Sequence, residues 1–114
     1  MDSLETSNLL LVEHVKTNLS ISDDLDDGKI ASYINAANTA VLTEVDLRSN
    51  IPDLKNTKWW NFAREISMIH FTMNYDLTER HITERYDILN KQYRAKINIL
   101  INSIKKNERI SYWE

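Results

Sequence analysis

A chain of 114 residues with a single glycine, Gly28, and a single proline, Pro52, has almost none of the positions that hairpins, tight turns and phosphate-cradling loops require. Sandwiches and barrels need many such residues, whereas helices joined by short polar connections need few. The expected fold class is therefore all-α. Hydrophobic residues make up 42% of the chain, enough for a globular core, and the length allows one domain spanning 1–114.

Periodicity divides that domain into four helices. Over 9–19, Leu11, Val15 and Leu19 recur at i, i+4, i+8, with Val12 beside them and Ser7 or Asn8 as N-cap. A second helix, about 27–45, aligns Ile30, Ile34, Ala37 and Val41, flanked by Tyr33 and Val45; Ala31, Ala36, Ala37 and Ala40 keep it slim. Residues 46–56, with Pro52, read as a loop. A third helix, about 57–76, carries Trp59, Phe62, Ile66, Ile69 and Met73 on one face and Trp60, Met68, Phe71 and Tyr75 on the others, which places it at the centre of the packing. From Thr78 to about residue 106, Ile82, Tyr86, Leu89, Tyr93, Ile97, Leu100 and Ile104 recur at spacings of 4, 3, 4, 4, 3 and 4, so the spacing predicts one long final helix followed by a flexible tail over 107–114.

That last helix has a second apolar face. At 100° per residue Ile88, Ala95 and Ile99 fall within about 40° of one another, opposite the main stripe. Either the bundle wraps around both faces, or the second one, with Arg94 beside it, meets another copy of the chain. Charge sharpens the choice. Residues 1–54 hold ten acids and three bases, while residues 55–114 hold seven acids and eleven bases, so the two halves are electrically opposite although the net charge is only −3. Solvated faces with pairing inside the domain account for this as well as head-to-tail contact between copies does.

With no cysteine there is no disulfide, thiolate nucleophile or cysteine-bound zinc. Asp23, Asp24, Asp26 and Asp27 precede Gly28, but a calcium loop in that register puts Leu25 at position three and Ile34 where a bidentate glutamate belongs. Capping of the second helix explains these acids, with a loosely held cation as the alternative. His14, His70 and His81 lack metal-ligand spacing, and Glu79 and Glu84 share no helix face. No catalytic, metal or cofactor-binding constellation emerges, and the expectation is a protein that is not an enzyme. The first twenty residues have no basic n-region, and no apolar run approaches the ~18 residues of a membrane span, so a soluble, intracellularly made protein is expected.

The order of signals resembles the small helical head–tail connector (adaptor) proteins of tailed bacteriophages. The resemblance is carried by Val15-Lys16-x-x-Leu19-x-Ile21, an acidic loop, Ile30-x-x-x-Ile34-x-Ala36-Ala37-x-x-x-Val41, a helix from Ala63 to Tyr75 and a basic closing helix. It implies a structural virion protein that assembles as a ring, typically dodecameric, beneath the portal, extends the DNA channel and presents a surface to a stopper or tail-completion protein. It places the chain in the neck of the virion, and in the host cytoplasm during assembly. It also implies portal docking by the C-terminal region, here Arg109, Ile110, Tyr112 and Trp113, while Ile88, Arg94, Ala95 and Ile99 are the candidates for contact between protomers. The competing readings are a small helical nucleic-acid-binding regulator using the basic helix, and a phage assembly chaperone that dimerises through it.

Overall fold

The computed structural model describes residues 10–19, 27–50, 54 and 57–106, and among them every regular element is helical. The protein is all-α, with four main helices: α1 (Val12–Leu19), α2 (Asp27–Ser49), α3 (Trp60–Thr78) and α4 (Tyr86–Lys106). Helices α2, α3 and α4 pack against one another in all three pairings, and α1 lies on α2.

Helix α1 begins later than its spacing indicates, and Leu11 is not part of a buried stripe. The backbone of Leu10 is fastened to Asn38 of α2, which turns the Leu10 side chain into the core and leaves Leu11 61% exposed just ahead of the first turn. Val15 completes the buried face. Helix α2 keeps its predicted stripe, with Ile30, Ile34, Ala37, Val41 and Val45 all buried. It also runs four residues further than 45, taking in the start of what the sequence presents as loop. Nothing in Asp46-Leu47-Arg48-Ser49 breaks a helix; Arg48 pairs with Glu44 one turn back at 2.9 Å, and the helix stops where Asn50 takes up a left-handed φ of 59°.

The central position of α3 holds. Phe62, Ala63, Ile66, Ser67, Phe71, Met73, Tyr75 and Asp76 are buried around its circumference. Two apolar clusters meet along it. One joins Phe62 and Ile66 to Val41 and Val45 of α2 and to Tyr93, Ile97, Leu100, Ile101 and Ile104 of α4. The other joins Phe71 and Tyr75 to Ile30, Ile34 and Ala37 of α2 and to Leu10 and Val15.

The final helix is shorter than its stripe. Residues 79–85 are not helical, so Ile82 lies in a connection and not on α4. The cause is Asp76, buried in the last turn of α3. Its carboxylate accepts from the guanidinium groups of Arg80 and Arg85, and its carbonyl accepts from the Ile82 N–H at 2.9 Å once His81, with φ 56°, has turned the chain back. These bonds replace the helical ladder across the turn.

Candidate functional site

The second apolar stripe of α4 stays at the surface. Ile88 is 59% and Ile99 38% exposed, with Ala95 exposed between them, on the side opposite buried Tyr93, Ile97, Leu100 and Ile104. The bundle thus packs one face of α4 and leaves the other open. Arg94 is exposed on its flank, as are Lys91, Lys105 and Lys106. Asp87 approaches Lys91 at 3.8 Å, a pair so exposed that it contributes at most a few tenths of a kcal/mol and leaves the surface positive. All four candidates for protomer contact, Ile88, Arg94, Ala95 and Ile99, are therefore accessible on one helix.

A second face, missed by the sequence reading, runs along the outside of α2. Leu47 is 80% exposed, and Ala36, Thr39 and Thr43 are exposed on the same side. Thr39, Ala40, Thr43, Glu44, Leu47 and Arg48 line a shallow groove of about 520 Å³. Assigning 46–56 to a loop removed Leu47 from the helix. The signal was present nonetheless: Ala36, Ala40, Thr43 and Leu47 follow i, i+4, i+7, i+11, the same spacing as the buried stripe of that helix from Ile30 to Val41.

Polar side chains inside the bundle are spoken for structurally. Lys96 of α4 meets Glu65 of α3 and lies over the Phe62 ring, 5.5 Å from its centre. The Tyr33 hydroxyl donates to Glu79 at 2.7 Å, with Lys29 3.6 Å from the same carboxylate. That bond raises the Tyr33 pKa, and it lowers that of Glu79. His70 is half-buried, with its ring edge on Tyr93 at a centroid distance of 5.2 Å and the Asn74 amide 3.2 Å from Nδ1; burial lowers its pKa. Tyr93 is pushed up to about 12, chiefly by burial and then by the charge of Glu44.

His81 is exposed at the α3–α4 turn, and the side chain of His14 lies outside the described residues. Among the described residues no group of three or more acidic or imidazole side chains is placed to hold a metal ion. Of the acidic loop, Asp27 is the first residue of α2, and Asp23, Asp24 and Asp26 lie outside the described residues. So do Arg109, Ile110, Tyr112 and Trp113. No described helix is long and apolar enough to cross a membrane. Set against protein-family models, curated proteins and solved structures, the chain matches none. Among the described residues, the open helix faces on α2 and α4 carry three of the five exposed large hydrophobic side chains, Leu47, Ile88 and Ile99.

Proposed function

We propose that this chain is a head–tail connector of a tailed bacteriophage, a virion protein without catalytic activity that assembles as a ring, dodecameric when complete, under the portal. It extends the channel through which DNA passes and joins the capsid to a stopper or tail-completion protein. The observation that carries the reading is the exposed stripe of Ile88, Ala95 and Ile99 on a basic helix, in a chain whose first half is acidic. A surface of that kind suits an element that meets copies of itself. The resemblance in helix order and motif spacing is what supports a place in the neck for that assembly. Sequencing the DNA on either side of the gene tests the proposal: portal and major capsid genes just upstream are expected, and an unrelated operon overturns it. With that portal in hand, the full chain should be retained on portal rings, and a chain lacking 108–114 should lose retention while keeping its helical content.

The exposed Lys91, Arg94, Lys105 and Lys106 favour one competing reading, a regulator that lays α4 along a phosphate backbone. Retention of the isolated chain on duplex DNA, falling steeply with salt, would decide for it; the connector reading expects no such retention.

A further inference from the structure

We infer that the outer face of α4 docks head to tail into the groove on the outer face of α2 in a second copy of the chain. This deepens the connector reading and rests on it for there being an assembly, whereas the choice of faces comes from shape and charge. Five large hydrophobic side chains are exposed among the described residues, Leu11, Leu47, Leu77, Ile88 and Ile99, and three of them stand on these two faces. On α4 the bulky pair Ile88 and Ile99 is eleven residues apart, about 16 Å along the axis. On α2 the small residues from Ala36 through Ala40 and Thr43 run the same eleven residues to Leu47. A ridge of isoleucines over a floor of alanine and threonine is the arrangement that lets two helices approach closely.

Charge selects between the occupants. Exposed Lys91, Arg94, Lys105 and Lys106 outnumber Asp87 on α4, so laying one α4 on another brings like charges together in either direction. The rim of the α2 groove carries Glu44, with Asp46 exposed beside it; its Arg48 is bonded to Glu44 and to Asn98 within its own copy. A basic helix therefore meets a surface whose one cation, Arg48, is neutralised by Glu44 and to which Asp46 adds an acid, instead of a second row of cations. Each copy has one inserting and one receiving face, so the contact repeats from copy to copy without a twofold axis, as closure into a ring requires.

The test uses two full-length variants with charges placed on exposed positions, Ile99→Asp on the inserting face and Leu47→Asp on the receiving face. Circular dichroism checks that both keep their helical content. Sedimentation up to millimolar concentration should show the unaltered chain self-associating, and each variant alone weakened at least tenfold. An equimolar mixture of the two should form a one-to-one dimer and nothing larger, because only one intact pair of faces remains. A monomeric unaltered chain, a Leu47→Asp chain that assembles as well as the unaltered one, or a mixture that stays monomeric overturns the inference. The connector reading fails separately: assembly through these faces without retention on portal rings sinks that reading alone, and ring formation on the portal by Leu47→Asp sinks only this one.

Discussion

Asn38 is buried in full on α2, and its amide answers three groups at once. Its Oδ1 accepts from the Leu10 N–H at 3.1 Å and from the Ser67 hydroxyl at 2.8 Å, and its Nδ2 donates to the Leu10 carbonyl at 3.3 Å. One side chain thus ties the segment before α1 and the middle of α3 to α2. Asn38→Ala strands all three groups away from water and should cost about 3 kcal/mol in urea denaturation, and a loss below about 1 kcal/mol would show that water replaces the amide. His70 makes the second prediction at this scale. Burial disfavours its charged form, so its folded pKa lies below the ordinary 6.5. The unfolded chain then takes up a proton first as pH falls. Stability contributed by the neutral ring is present in full above about pH 6.5 and is lost as pH drops from there towards the folded pKa. His70→Gln should flatten the change in urea midpoint between pH 7.5 and 5.5; an unchanged slope would place the titration elsewhere.

At the scale of elements, two helices end on residues with left-handed backbone that are not glycine, Asn50 after α2 and His81 after α3. Such a conformation costs a residue with a Cβ about 1 kcal/mol, less for asparagine. His81→Gly is expected to raise stability by about 1 kcal/mol and Asn50→Gly by less, read from thermal or urea midpoints; a decrease at His81 would mean its side chain contributes more than its backbone costs. These two ends also mark where the sequence could be read and where it could not. The buried stripes of α2 and α4 were legible because Ile30 to Val41 and Tyr93 to Ile104 follow one period without interruption. The break at 79–85 was not, since Ile82 stands four residues before Tyr86 and imitates a helix, while the groups that interrupt it are an aspartate and two arginines whose meeting is a matter of tertiary geometry. Leu47 was lost for the opposite reason: Pro52 drew the loop boundary too early, and the left-handed Asn50 that ends the helix has no unique sequence signal. The open stripe on α4 was visible as a pattern, but only packing could show that the bundle leaves it uncovered.

For the whole molecule, the arrangement of the two clusters determines how the chain unfolds. Phe62 and Ile66 of α3 belong to the cluster shared with α4, and Phe71 and Tyr75 of the same helix belong to the cluster shared with Leu10 and Val15. Helix α2 bridges them as well, with Val41 and Val45 in one and Ile30 and Ile34 in the other. Neither cluster can come apart without freeing turns of α2 and α3 that hold the other, so the described bundle should unfold in one step. Buried Trp59 lies in the first cluster, with Trp60 packed against it, while Phe71 lies in the second. Phe71→Ala opens a cavity in the second cluster and should cost about 3–5 kcal/mol. If the clusters are coupled, the tryptophan fluorescence transition shifts by the same amount as the helical transition followed by circular dichroism. A fluorescence midpoint that stays put while the helical signal moves would instead divide the bundle at the level of Asn38, the buried residue that stands on α2 between Ala37 of the second cluster and Val41 of the first.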